Sequence, residues 1–414
     1  MTYGTLTSPV RFTSLNPSQP ATFYSIQSTG ILISAGGGTT SNDMNIKIDN
    51  IIIIGDGGIS PSNGNPQSGV FLWLDSNANI PWKNFYLDHV DISGFSLAGL
   101  NSWRSYHYSN NFLDTIVVSN SAFHHCPGYP NLQKVSGSGI VLAGVRNVLI
   151  ETTTVYSNGA QVNYAPGGFG MWVFDADSVV MKNNTAHDNL SQAGDGGGFD
   201  LDCGTTNSII EDCISYNNYG TGYGINACGA GNGYNNDGST ANNMVRRSTS
   251  YGDSYGKSDC LACIYAASGT IVNNVTYEDM TMEMTRTLST VAQFGSGFSA
   301  SYGAWFSGGV QAAQFQNVLF KFPSTTFFTN AECSNTGTAG PVCNGITTSP
   351  SASPLPSPPT AAPVVALKVS SLAPSARPTT ASVPVTLPTS AIPISLPVIA
   401  PITAPTKVHG KPHH

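Results

Sequence analysis

Two carboxylates stand two residues apart in Asp195-Gly196-Gly197-Gly198-Phe199-Asp200-Leu201-Asp202. The matching stretch one repeat earlier reads Gly170-Met171-Trp172-Val173-Phe174. If both are strands, period-two alternation turns Met171, Val173, Phe199 and Leu201 inward. It turns Trp172, Phe174, Asp200 and Asp202 outward on neighbouring coils. Aromatic rings can cover the apolar face of a pyranose. Of two nearby carboxyls, one can donate a proton while the other acts as base or nucleophile. Asp200 and Asp202 are therefore the candidate acid and base of a sugar-cleaving site. Their Cα separation of ~6.6 Å in a strand suits either retaining or inverting chemistry. Two other readings stay open. The pair binds a sugar without turnover, or it holds turn amides of adjacent coils or a structural calcium. No other cofactor and no other metal is expected.

Asn226, in the equivalent strand Gly224-Ile225-Asn226-Ala227-Cys228, joins Trp172 and Phe174 as a candidate glycan contact. A second column holds His124, Tyr156, His187, Tyr216 and Tyr251 at equivalent positions. It reads either as an aromatic stack along one edge or as a carbohydrate groove, with His187 carrying a proton and Tyr216 beside it. A lyase acting on uronic acids needs cations near the carboxylate. Arg246 and Arg247 are the only close pair in the central coils. Asp195 opens a Gly-rich loop and is expected to cap a turn.

The elements that must position these residues announce themselves by repetition. Asn-x-x-apolar recurs at Asn50/Ile53, Asn84/Leu87, Asn147/Ile150, Asn207/Ile210, Asn242/Val245, Asn274/Tyr277 and Asn317/Phe320. Thr115/Val118 and Ser178/Met181 fill the gaps, so the anchors follow one another at intervals of 29 to 43 residues. Short strands of alternating character are broken by Gly and Asn. Repeats of this length built from strands make a solenoid whose core exists only through stacking. Three strands per coil, stacked at ~4.8 Å, make a right-handed parallel β-helix. The anchors are expected to form one inward column, and the asparagines a ladder bonding the coils above and below.

Only 9% of the 414 residues are charged, and the formal net charge is −7. Hydroxyls, amides and backbone dominate such a surface, which suits sugars or protein partners. Nucleic acid, which needs a basic footprint, is excluded. No apolar run reaches membrane-spanning length. Strand-like sequence starts at Pro9, with no basic n-region or apolar h-region before it. The chain is expected to begin inside a coil, with upstream sequence missing.

Eight cysteines point to an oxidising, extracellular setting. Cys333 is expected to pair with Cys343, and Cys203, Cys213, Cys228, Cys260 and Cys263 among themselves between neighbouring coils. Asn183 and Asn189 head sequons expected to carry glycans. Asn274 heads another, expected to be buried in the ladder and bare. Residues 1–346 are read as the β-helix and 347–414 as a Pro/Ser/Thr-rich extended tail. O-glycans are expected on that tail at Thr386, Ser390, Ser395 and Thr403.

The stretch from Gly167 through Asp175-Ala176-Asp177 and Asp195–Asp202 to Tyr219-Gly220-Thr221-Gly222-Tyr223 resembles secreted β-helix proteins of the pectate-lyase-like superfamily. The resemblance covers roughly residues 5–325. It implies the β-helix fold and a polysaccharide-active or unknown role. The paired-Asp and Gly-His-Gly signatures of polygalacturonases and the calcium-plus-arginine site of pectate lyases are missing, so the fold transfers and the activity does not. The leading expectation is a secreted, glycosylated surface or matrix protein that recognises glycans or packs into an assembly. The alternative is a polysaccharide hydrolase or lyase. Self-assembly through open solenoid ends or the tail is a third route, because an uncapped coil exposes strand edges.

Overall fold

In this computed structural model the described residues are 10–14, 19–25, 29–36, 43–57, 67–75, 81–104, 112–130, 136–163, 168–191, 195–228, 238–256, 260–285, 302–307, 309–322 and 346–350. Every paired strand among them is parallel to its neighbour one coil away, and no helix occurs. Three sheets wind around one apolar interior. The first, here the site sheet, runs through Ile31–Gly36, Ser68–Asp75, Ala98–Arg104, the first half of Ser138–Glu151, the first half of Met171–Lys182, Phe199–Leu201, Tyr223–Ala227, Cys260–Ala266 and Tyr302–Ser307. The second passes through Leu113–Ser119, Ile209–Glu211 and Met244–Arg246. The third passes through Ala122–His124, Thr154–Tyr156, Thr185–His187, Ile214–Tyr216 and Thr249–Tyr251. Ile346–Pro350 pairs with Ala313–Phe322, and the first compact unit runs to Ser353. The second unit, 354–414, lies outside the described residues together with Cys333, Cys343, Thr386, Ser390, Ser395 and Thr403.

The repeat has a backbone cause. Asn50, Asn84, Thr115, Asn147, Ser178, Asn207, Asn242, Asn274 and Asn317 all have φ between 51° and 68°. That left-handed region is one Asn enters more readily than other side chains do. Register divides these residues between two corners. Leu87, Val118, Ile150, Met181, Ile210, Val245 and Tyr277 form one inward column. Ile53 and Phe320 belong instead to the next column, beside Ile92 and Met282. The single expected column is thus two, because left-handed corners recur at both ends of the second sheet. All nine anchors are nonetheless buried. Each buried aliphatic side chain contributes ~1.5–3 kcal/mol.

The ladder also differs from expectation. The outer asparagines bond partly to each other, with Nδ2 of Asn274 donating to Asn242 (2.8 Å) and that of Asn242 to Asn207 (3.1 Å). Others donate to carboxylates, as Asn147 does to Asp114 and Asn207 to Asp177. Asn274 is exposed, not buried. The continuous buried ladder is a different set. Nδ2 of Asn158, Asn189 and Asn218 donates to Oδ1 of Asn189, Asn218 and Asp253 at 2.8–2.9 Å. The same oxygens accept the backbone N–H of the preceding member. Asn189 therefore sits inside the fold at 1% exposure, contrary to its expected role as a glycan acceptor. Asn183, at a left-handed corner, is exposed.

Cys203 is bonded to Cys228 on the next coil, and Cys260 to Cys263 within one strand. Cys213 is a free thiol, which corrects its expected pairing. It points into the interior, its Sγ faces the carbonyls of Met181 and Glu211, and burial pushes its pKa up to about 12. Cys126 is the other buried free thiol among the described residues.

Candidate functional site

The outward positions of the site sheet fall into register along the solenoid. Phe71 and Trp73 lie beside Asn101 and Trp103, and Val141 and Ala143 beside Trp172 and Phe174. Asp200 follows Trp172, Gly224 follows Asp200, and Asn226 stands beside Tyr265. The alternation expected of this face is correct, but its exposure is not uniform. Trp172 and Phe174 are buried, at 4% and 9% exposure. They pack with Phe169, Val141, Ala143 and Cys203 in an apolar cluster separate from the interior core. Trp172 Nε1 donates to Ser138 Oγ at 2.9 Å. The platform expected of these two rings is therefore covered by their own neighbours. Among the described residues, the exposed rings on this face are Trp73 (37%), Trp103 (47%) and Tyr265 (41%). Sequence reading missed the two tryptophans. The available signal was their shared outward parity, 30 residues apart, on consecutive coils. Trp103 meets Phe174 edge to face at 5.8 Å, so the exposed rings are continuous with the covered ones.

Asp200 is 1% exposed. Its Oδ2 accepts from Asn226 Nδ2 at 2.8 Å, while its Oδ1 has no hydrogen-bond partner. That oxygen hangs over Gly224, where a Cβ would stand 2.7 Å from it, so glycine at this strand position makes room for the carboxyl. Burial first, and then the charge of Asp202, pushes the Asp200 pKa well above the usual carboxylate range, with the Asn226 bond opposing. Asp202 is half-buried, and burial pushes it to about 7. Asp195, at a left-handed turn, adds its charge to both effects. In both carboxyls burial favours the protonated form, which can donate a hydrogen bond, over the charged one. Only Asp202 is open enough to meet a ligand directly. Asn226 contacts Asp200 and serves to orient it.

The edge column is a stack. His124–Tyr156, Tyr156–His187, His187–Tyr216 and Tyr216–Tyr251 are parallel at 4.5–5.0 Å. Both faces of His187 and Tyr216 are occupied by neighbouring rings, which leaves only edges for a ligand. His187 Nδ1 lies 2.7 Å from Asp188 Oδ2. Arg246 and Arg247 are committed to Glu211 and Asp212. A further pair was not anticipated. Arg104, on an inward parity position, is fully buried against Asp175 and lies over the Phe112 ring at 4.6 Å.

No family profile and no curated protein matches the chain. Among solved structures, the Dettilon tailspike protein gp208 is similar at TM-score 0.50 and 11% identity, over 79% of this chain and 59% of that one. The endo-xylogalacturonan hydrolase of Aspergillus tubingensis is similar at TM-score 0.44 and 12% identity, over 81% and 87%. The fold is a right-handed parallel β-helix. At these identities the likeness is one of fold. The chain spans 59% of the tailspike's length. Among the described residues no helix is long and apolar enough to cross a membrane.

Proposed function

We propose that this β-helix is an extracellular glycan-recognition protein, and that the outward face of the site sheet is its binding surface. One observation carries the reading. Exposed Trp73 and Trp103 lie in register with each other, on the outward face that also carries the partly open Asp202. A saccharide chain lying along the solenoid axis would meet apolar rings first and a hydroxyl-directed donor further on. The sparse charge of the sequence favours neutral, hydroxyl-rich ligands over phosphates. Two disulfides support residence in an oxidising compartment, where glycans are displayed. The glycosylated surface or matrix role expected of the tail forms part of the same proposal.

A second reading, a glycoside hydrolase, is favoured by the carboxyl pair on one strand face. Asp202 would act as general acid there. Asp200 is enclosed and held by Asn226, which favours recognition over turnover. A panel of immobilised and soluble polysaccharides, assayed in parallel for retention and for new reducing ends or unsaturated products, separates the two. Retention without product is expected. Product formation that Asp202→Asn abolishes would move the hydrolase reading to the front. Neither retention nor product on any polysaccharide would reject both.

A further inference from the structure

Cys203 follows the strand Phe199–Leu201, and Cys228 follows Tyr223–Ala227 one coil on. Their disulfide joins Cα atoms 4.9 Å apart. Asp202 leans on both sulfurs, with Oδ1 2.7 Å from Cys203 Sγ and 3.7 Å from Cys228 Sγ. The three potential donor atoms lie within 4.8 Å of one another. Among the described residues no other set of three His, Cys, Asp or Glu side chains converges in this way, and Cys260–Cys263 has no such third partner. Tetrahedral zinc with Zn–S near ~2.3 Å and Zn–O near ~2.1 Å keeps its donors ~3.5–3.8 Å apart, well inside that span. Asp202 and Cys228 are half-buried, which leaves an approach from solvent.

We propose that Asp202, Cys203 and Cys228 form a redox-gated site for a thiophilic divalent cation such as zinc, shut while the disulfide stands and opened by reduction. A dithiol passes two electrons and two protons to the disulfide, splitting its S–S bond and closing into a disulfide itself. The cation then displaces the two thiol protons and is held by two thiolates and the Asp202 carboxylate, with water in the fourth position. The scaffold does not rely on the disulfide to keep the ligands together. The pairings Phe199–Tyr223, Asp200–Gly224 and Leu201–Ile225 align the two strands, and Asp202 N donates to Val173 O at 2.8 Å. Zinc finds no ligand pair in the oxidised form, because a disulfide offers no thiolate. This inference stands independently of the glycan reading.

The test uses the full chain carrying Cys260→Ser and Cys263→Ser, reduced with dithiothreitol, freed of reductant without oxygen and titrated with Co(II). We expect one cobalt per chain, with thiolate-to-cobalt charge-transfer absorption that Zn(II) displaces. The oxidised protein should show none. Asp202→Asn should weaken the affinity about tenfold or more, and Cys228→Ser should remove the two-thiolate band. Circular dichroism of each sample reports whether the β-helix is retained. A folded, reduced protein without charge-transfer absorption would overturn the proposal. So would charge-transfer absorption of undiminished intensity in Cys228→Ser, or an affinity unchanged in folded Asp202→Asn.

Discussion

Replacing Asp253 by asparagine should stabilise the protein at neutral pH and leave it no more stable in acid. Asp253 ends the buried amide ladder at 1% exposure. Its Oδ1 accepts from Asn218 N (2.9 Å) and Asn218 Nδ2 (2.8 Å), and its Oδ2 from Ser250 Oγ (2.6 Å). Burial outweighs these hydrogen bonds and pushes the pKa to about 6 from its ordinary 3.8. A folded-state pKa above the unfolded one means the native protein holds the proton more tightly. The resulting stability is fully present below about pH 4 and is lost as pH rises through about 6. A shift of roughly two units corresponds to ~3 kcal/mol between the two ends of that window. Asparagine keeps the Oδ1 acceptor and never ionises, and the Ser250 hydroxyl can turn to accept from its amide. Asp253→Asn should therefore gain on the order of 1–3 kcal/mol at pH 8 and nothing at pH 4. Urea unfolding of both proteins from pH 4 to pH 8 measures the difference directly. A variant less stable by the same amount at both ends would refute the reasoning, since the carboxylate would then be contributing as an acceptor and not suffering from burial.

Ile150→Asp should destabilise by several kcal/mol, because it puts an unpaired charge into the inward column, and urea unfolding would show this. Native-like stability in that variant would contradict the register. Asp175→Ala should cost ~3–5 kcal/mol by stranding Arg104 inside the fold, whereas an Arg104→Met/Asp175→Ala double variant should recover much of that loss; thermal unfolding of the set reads it. In a glycosylating host, peptide mass mapping should find a glycan on exposed Asn183 and none on buried Asn189. A glycan on Asn189 would mean that the buried ladder is not formed when the transferase acts.

The solenoid was legible because one backbone demand, a left-handed corner, recurs in every coil and Asn meets it cheaply. The aromatic column from His124 to Tyr251 was legible for a related reason, since parallel stacking places equivalent residues face to face. The split of Ile53 and Phe320 into a second column was hidden. Both corners favour Asn, and nothing local distinguishes one from the other. Outward parity of Trp172 and Phe174 followed from alternation, but their burial depends on Phe169 and on neighbours one coil away. Exposure of Trp73 and Trp103 was missed for the complementary reason: an alternating apolar strand does not say which outward ring its own loops leave open. Asp200 and Asp202 were placed on the correct face. Their unequal access, set by Gly224 and Asn226 on the next coil, lies beyond what one strand can show.

The central claim is that the outward face of the site sheet binds glycan through Trp73 and Trp103. Titrating one retained polysaccharide against the wild type, Trp73→Ala, Trp103→Ala and the distant edge-stack variant Tyr251→Phe, with circular dichroism confirming the fold, tests it most directly. Each tryptophan variant should bind about tenfold more weakly, ~1.4 kcal/mol, the scale of one aromatic contact, while Tyr251→Phe binds as the wild type does. Unchanged binding in both folded tryptophan variants would contradict the account.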